Sequence, residues 1–297
     1  MTDTAVVVVA WNGGEKLARC LRSVRRQFEG DVCVVDNASE PGERERLVAH
    51  AREDGRCELL FSAENVGFAE GANRGLRHAF EKNARAAFLL TQDVVLEEGA
   101  LEKLRETWES HPDAGVVGPV VVDESAGGRE LSRGEWFSLP LLCIPRTLLR
   151  YRGARSFPYE VRGVLGCAFL LSREAFFRVG GLDGRFFAYY EEVDLCIRLR
   201  RAGLRIYVDP RARVRHDGWR GFYRGLGPES AVLKARNLLG LAWKLGNGPE
   251  VAFFLPTYAA LVLSSAGVYL LRGRRDVARA LLHGMSTAWR ERKRWRS

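Results

Sequence analysis

Glu191, Glu192 and Asp194 put three acids into four positions, directly after the aromatic stretch FFAYY (186–190) and before LCIRLRRAG. A carboxylate beside apolar rings is poorly hydrated, so its pKa rises toward that of a general base able to take a proton from a hydroxyl. Acids are also favoured at a helix N-terminus by its dipole, which is the competing structural reading, although three exceed what capping requires. Asp93 closes the apolar run AFLLTQ. A lone carboxylate at such a strand end can hold a divalent metal beside phosphates, or it can cap the helix expected near 98. His216 ends ARVRH and precedes Asp217. A neutral imidazole there can ligate a metal with Asp217 orienting it, or it can be structural. Asp36 closes VCVVD, where it can accept hydrogen bonds from a base or ribose, or cap a turn.

These residues need elements to carry them. Apolar runs at 5–10, 31–36, 57–62, 86–93 and 115–123 read as strands, and amphipathic stretches at 15–28, 44–54, 75–83 and 98–111 as the helices between them. Each strand is apolar throughout rather than alternating, as in a parallel sheet covered on both faces. Ligands of such sheets bind outside the carboxyl ends of the strands. Four polar or glycine-rich segments lie just past those ends: Trp11-Asn12-Gly13-Gly14, Asp36-Asn37-Ala38-Ser39, NVGFAEGANRG (65–75) and Thr91-Gln92-Asp93. Residues 124–162 are irregular, with Gly127-Gly128, three prolines and the run RTLLRYRGAR. VLGCAFLLS (164–172) restores a strand, REAFFRVG a helix, and RIYVD (205–209) and ARVRH (212–216) two more strands.

The net charge of +9 is unevenly placed. Residues 272–297 hold nine Arg or Lys against Asp276 and Glu291, a balance of +7 that leaves about +2 on the other 271 residues. A basic tail on a nearly neutral body argues against a nucleic-acid groove and for a local contact such as an anionic membrane. The six cysteines (20, 33, 57, 143, 167, 196) form no CxxC pair and suit reduced, buried thiols of a cytoplasmic protein. The N-terminal apolar run reads as a strand, being too short for a secretion signal.

Taken in order, VVVVAWNGGEKLARCLRSV, VVDNAS, NVGFAEGANRG, FLLTQDVVL, GCAFLLSREAFFRVGGLDGRFFAYYEEVDLCIRLRRAG and VRHDGW resemble the family-2 glycosyltransferases, inverting enzymes of the GT-A fold, and most of all their rhamnosyltransferase-like branch. The resemblance covers about residues 5–220. It implies a Rossmann-like, mostly parallel sheet with helices on both faces. The catalytic domain would span 1–225, with a nucleotide-sugar half to about 123 and an acceptor half beyond it. Asp36 would face the donor's base with Ala10, Trp11 and Asn12. Asn65, Gly67 and Asn73 would border the nucleotide and its diphosphate, and Gln92 would join the donor-binding set. Asp93 matches the last acid of a metal-binding DxD-type motif, with His216 joining it on Mg2+ or Mn2+. Glu192 matches the catalytic base, with Glu191 before it. Two positions depart from the family pattern: Thr91 stands for the first DxD acid, and Glu192 for the usual second Asp of the acidic pair. Glycines 67, 71 and 75 would let backbone approach the donor and let the next helix begin near the diphosphate.

The implied reaction moves a sugar, rhamnose by resemblance, from dTDP or UDP to a hydroxyl of a glycan or polyprenyl-linked acceptor in cell-surface polysaccharide synthesis. A sugar nucleotidyltransferase is the alternative, but WNGGEK is a poor phosphate loop. A non-catalytic binding protein would be free to lose Asp93 or the acids, and neither is lost. The C-terminal segment 226–297 reads as helical. VAFFLPTYAALVLSSAGVYLL (251–271) carries no charge and is about 31 Å long as a helix. Pro256 and the small residues after it also fit a kinked or packed hairpin. In 276–297, Val277, Leu281, Met285, Ala288 and Trp289 fall at helical spacing, as in an interfacial helix. Monotopic attachment to the inner membrane face is therefore expected, with a homodimer as the alternative use of these helices.

Overall fold

The computed structural model describes residues 3–124, 127–136, 156–217 and 226–296. The run 146–155, Pro140, Pro145, Cys143 and the Gly218-Trp219 end of the last motif lie outside them.

The elements in order are β1 (Thr4–Ala10), α1 (Gly14–Arg25), β2 (Val32–Asp36), α2 (Pro41–Glu53), β3 (Cys57–Phe61), α3 (Gly67–Glu81), β4 (Ala86–Thr91), β5 (Val94–Leu96), α4 (Ala100–Ser110), β6 (Ala114–Asp123), β7 (Arg129–Ser132), β8 (Tyr159–Val161), β9 (Ala168–Ser172), α5 (Arg173–Val179), a 3-10 turn (Gly184–Phe186), α6 (Glu191–Arg201), β10 (Arg205–His216), α7 (Pro228–Leu245), α8 (Gly248–Leu271), α9 (Arg275–Arg290) and α10 (Arg292–Arg296). They divide into two compact bodies. One comprises Met1–Trp136, Arg150–Phe187 and Glu191–Gly218, and the other Phe137–Leu149, Ala188–Tyr190 and Trp219–Ser297.

The first body is built on a sheet of order β3-β2-β1-β4-β9-β6-β10-β5, with β7 beside β6 and β8 beside β10. β3, β2, β1, β4, β6 and β10 run one way. β9, inserted between β4 and β6, runs against them, as do β5, β7 and β8. Helices cover both faces, as expected. The strands are apolar because they are buried on both sides: Val6, Val7, Val8, Leu89, Leu170 and Val116 have essentially no exposure. Burial of each contributes about 1.5–3 kcal/mol.

Several elements differ from expectation. β10 is one strand whose register shifts between Asp209 and Arg213, because Pro210 lacks a ladder donor. β7 and β8 give pairing to the ends of the irregular stretch. α3 starts at Gly67, not at 75, so the glycine-rich passage is itself the first turns of a helix. Glycines 71 and 75 serve close packing there. A Cβ at 75 would lie 2.8 Å from Val35 Cγ2 and closer still to Val7, and one at 71 would lie 3.1 Å from Val9 Cγ1.

The second body packs its helices just as closely. A Cβ at Gly284 of α9 would lie 3.0 Å from Ala235 Cβ of α7, and one at Gly240 would strike the buried Trp295 ring at 2.6 Å. Residues 248–271 form one helix rather than a hairpin. Asn247 and Glu250 close its start with reciprocal bonds of 2.9 and 3.0 Å. Pro256 lies on the exposed face, where the carbonyl its missing N–H frees can be hydrated. The α9 reading also needs correcting. Val277, Leu281 and Ala288 are buried, so most of its apolar face is used inside the body rather than offered to a lipid interface. The exposed apolar residues are chiefly on α8: Phe253, Leu263, Leu270 and Leu271.

Candidate active site

Because β1, β2, β4, β6 and β10 share a direction, Ala10, Asp36, Thr91, Asp123 and His216 all end at one edge of the sheet. β5 explains how distant residues meet there. After Thr91 the chain turns through Gln92-Asp93 and returns as β5, antiparallel to β10, with Val94 opposite His216. That register sets Asp93 Oδ2 3.3 Å from His216 Nε2. Thr91 Oγ1 donates to Asp93 Oδ1 at 2.6 Å. Burial pushes the Asp93 carboxyl up, but the imidazole and the Thr91 hydroxyl outweigh it and hold the group below the ordinary carboxylate range.

Asp217 does not orient His216. Its carboxylate lies 3.0 Å from Lys16 Nζ, and its N–H donates to Asp93 O at 3.2 Å. His216 Nδ1 is buried without a hydrogen-bond partner among the described residues. Among the described residues no three His, Cys, Asp or Glu side chains converge as a metal cluster. One carboxylate and one imidazole this close fit a divalent cation that takes its other ligands from a substrate and water.

Gly166-Cys167, just before β9, links this corner to the acids. Cys167 O accepts from Thr91 N at 2.9 Å, while a Cβ at Gly166 would lie 3.2 Å from Glu192 Cβ. Cys167 accordingly has its thiol pKa pushed up by burial first and by Asp93 and Glu192 in addition. Glu191 and Glu192 are buried in the first turn of α6. Asp194 has a different surrounding: its Oδ2 takes Arg198 Nη2 at 2.6 Å and Nε at 2.7 Å, and Arg198 also donates to Val179 O and Gly181 O. It anchors Arg198. The i,i+4 spacing of Asp194 and Arg198 was the sequence signal for this.

The donor-side residues also take definite places. Trp11 is half exposed, and its N–H and C=O are held by the Gln92 amide at 2.8 and 3.0 Å, so Gln92 clamps the ends of β1 and β4 together. Asn12 joins β1 to the start of α2, accepting from Glu40 N at 2.9 Å and donating its N–H to Ser39 Oγ at 2.8 Å. Asp36 is fully buried; it closes its own turn through Ser39 N and pairs with Arg44 Nε at 2.7 Å. Ala10 O accepts Asn37 N at 2.8 Å. Asn65 Oδ1 accepts from Asn37 Nδ2 and Gly67 N, fixing the entry to α3. Gly67 has φ +82°, and a Cβ there would meet the Phe187 ring at 2.6 Å. Asn73 is buried and spends both ends of its amide on the Leu182 main chain, at 2.7 and 2.9 Å. Ser39, Asn37 and Arg44 were the organising residues that sequence reasoning did not assign.

Backbone strain marks the same places. Of the six non-glycine residues with positive φ among the described residues, Asn12 and Ala38 lie at the strand ends and Phe187, Tyr189 and Tyr190 directly precede α6. Such conformations cost on the order of 1–3 kcal/mol each and gather at functional sites.

Known proteins resemble this chain in sequence and in fold. Residues 5–180 match the family described as Glycosyl transferase family 2. The chain is 32% identical over 239 residues to an N-acetylglucosaminyl-diphospho-decaprenol L-rhamnosyltransferase of Mycobacterium tuberculosis, covering 73% of this chain and 76% of that one. It is 22% identical over 280 residues to a dTDP-rhamnosyl transferase of Shigella flexneri, covering 93% and 85%. In structure it is similar to GalNAc-T7 solved with UDP, GalNAc and Mn2+, with a TM-score of 0.67 at 17% identity. That likeness spans 97% of this chain but only 56% of the longer one. A mannosyltransferase of Pyrobaculum calidifontis solved with GDP-Man and Mn2+ gives a TM-score of 0.58 at 18% identity, over 99% and 83%. These two likenesses bear on the fold, which is of the GT-A type. With residues 5–180 matched by the family model and a relative 32% identical over 73% of this chain, the chain belongs to glycosyl transferase family 2.

Proposed function

We propose that the protein transfers a rhamnosyl group from a nucleoside diphosphate donor to a hydroxyl of a lipid-linked glycan, with inversion at the anomeric carbon. The observation that carries this reading is the convergence of Asp93, His216 and Glu192 around Gly166-Cys167 at one sheet edge. The rhamnosyl donor and the polyprenyl-linked acceptor are taken from the relatives' activities.

Glu192, or its neighbour Glu191, takes the proton of the acceptor hydroxyl as the oxygen attacks the anomeric carbon, and the nucleoside diphosphate leaves from the opposite face. Both glutamates are buried at the start of α6, within reach of a shielded acceptor hydroxyl rather than of open solvent. Asp93 and His216 would hold Mg2+ or Mn2+, which when bound offsets negative charge on the leaving diphosphate. Trp11, clamped by Gln92, offers its half-exposed ring beside Asp36 as a wall for the base.

The second body bears on where this happens. α8 is long and apolar enough to cross a membrane by length and composition, and it leaves Phe253, Leu263, Leu270 and Leu271 exposed. The nine basic side chains of 272–296 are exposed as well. The reading is monotopic attachment to an anionic lipid surface on the cytoplasmic side, where nucleotide sugars and lipid-linked acceptors meet. Flotation with phosphatidylglycerol vesicles should carry the wild type, and Leu263→Glu with Leu271→Glu should release it. A stable dimer that ignores the vesicles would replace this reading.

The enzyme assay decides the main reading. Purified protein with dTDP-rhamnose, Mn2+ and a polyprenyl diphosphate-linked amino sugar should yield a disaccharide product of inverted anomeric configuration by NMR. Retained configuration, or release of dTDP-rhamnose intact with every acceptor while another donor reacts, would overturn the mechanism or the donor respectively.

A further inference from the structure

The turn from β4 into β5 has its main chain tied at each residue. Thr91 stands opposite Val9 in the β1 ladder, and its N–H donates to Cys167 O at 2.9 Å. Gln92 holds Trp11 through both ends of its amide. Asp93 O accepts Asp217 N at 3.2 Å. These bonds fix where the Asp93 side chain leaves the backbone. They do not fix the plane of its carboxylate, because the terminal torsion of an Asp side chain is broad.

Thr91 supplies the missing restraint. Its Oγ1 lies 2.6 Å from Asp93 Oδ1 and 3.5 Å from Cys167 O. An ionised carboxylate only accepts, so the hydroxyl's one proton points to Oδ1 in a short, charge-assisted bond. Branching at Cβ makes Thr91 stiff about χ1, which keeps the donor in place. With Oδ1 engaged in this way, Oδ2 is the oxygen beside His216, 3.3 Å from Nε2. Where the family pattern has an acid at position 91, this chain therefore has a donor that turns the acid at position 93.

We propose that Thr91 is a positioning residue for the divalent cation, its hydroxyl turning the Asp93 carboxylate so that Oδ2 and His216 Nε2 face one ligand position, without ligating the cation itself. This rests on the reading of Asp93 and His216 as the cation's protein ligands. All three residues belong to the same compact body.

The test follows Mn2+ binding by electron paramagnetic resonance in the full chain, with protein in excess over dTDP, so that the readout needs no turnover. Thr91→Val keeps the shape and the branching but not the proton. It should weaken Mn2+ binding about ten- to a hundredfold, as loss of a bond that orients a metal ligand does. Thr91→Ser keeps the hydroxyl and should restore most of that affinity. Thr91→Ala carries the same expectation as Thr91→Val and decides if the latter does not fold. Thr91→Cys titrated with Cd2+ should show no thiolate-to-metal charge-transfer absorbance, since soft cations seek a thiolate wherever one can ligate. Such a band would make position 91 a ligand and overturn the positioning role. So would a loss in Thr91→Ser equal to that in Thr91→Val, or wild-type affinity in Thr91→Val or Thr91→Ala while Asp93→Asn loses it. No Mn2+ binding by wild type, or undiminished binding in both Asp93→Asn and His216→Leu, would instead overturn the reading of the ligands beneath it.

Discussion

Arg198 holds Asp194 through two nitrogens at 2.6 and 2.7 Å on one carboxylate oxygen, so this one of three clustered acids sits in a close ion pair. Asp194 shares the first turn of α6 with Glu191 and Glu192 and is wholly buried. Stability and turnover should therefore separate along this short segment. Asp194→Asn should destabilise the fold by about 3–5 kcal/mol, the usual cost of stranding a buried charge. Glu192→Gln should leave the melting temperature nearly unchanged and lower turnover on the order of a hundredfold or more. Thermal melts and initial rates on the two variants measure the difference.

Metal response should depend on Asp93 and His216 jointly. In wild type, Mn2+ should tighten dTDP binding measured by calorimetry. In Asp93→Asn and in His216→Leu that tightening should vanish while metal-free binding of dTDP is retained. Undiminished Mn2+ dependence in both variants would place the cation elsewhere.

Asp93 also gives a pH signature. Its folded-state pKa lies below the ordinary value, so it stabilises the fold fully above about pH 4 and loses that contribution as pH falls through its own lower pKa. Melting temperatures between pH 6 and pH 2.5 should fall more steeply for wild type than for Asp93→Asn. Parallel curves would mean that the His216 and Thr91 contacts contribute nothing in solution.

Thiol chemistry probes the core. Cys20, Cys33, Cys57, Cys167 and Cys196 are buried, and burial pushes Cys20, Cys33 and Cys196 up to about 12 and Cys57 to about 11. A Cys143→Ser variant should react with a thiol-specific dye at pH 8 only on unfolding, since the thiolate is the nucleophile.

Glycine substitutions should split by the space around them. Ala in place of Gly normally stabilises a helix interior by roughly 1 kcal/mol. Gly267→Ala, with open space at its Cβ, should show that gain. Gly75→Ala should instead lose about 1–3 kcal/mol to overpacking against Val7 and Val35. Urea unfolding of the two variants checks both signs.

Much of the first body was legible from residue order. The unbroken apolar runs located β1, β2, β3, β4 and β6, and the rule about carboxyl ends brought Asp36 and Asp93 to one edge, while His216 joined Asp93 only through the family resemblance. What escaped depended on partners far along the chain. β5 has only three residues, and nothing local shows that Val94 will pair with His216. NVGFAEGANRG looked like a loop because its glycines lower helix propensity. The helix forms anyway, since only small residues fit against Val7, Val9 and Val35. α9 has the pattern of an interfacial helix, and a moment alone cannot say whether its apolar side meets lipid or α7.

The reversed strand β9 bears on how the sheet is assembled. Its residues, Ala168–Ser172, fill the gap between β4, finished by Thr91, and β6, which starts at Ala114. Until residue 172 has left the ribosome, Phe88, Leu89 and Leu90 stand on an open strand edge of the kind that recruits other chains. Closing that gap joins segments almost eighty residues apart, so it belongs among the late and slow events of folding. Chains cut short before Ala168 should therefore aggregate, while the finished sheet keeps its most adhesive edge permanently covered.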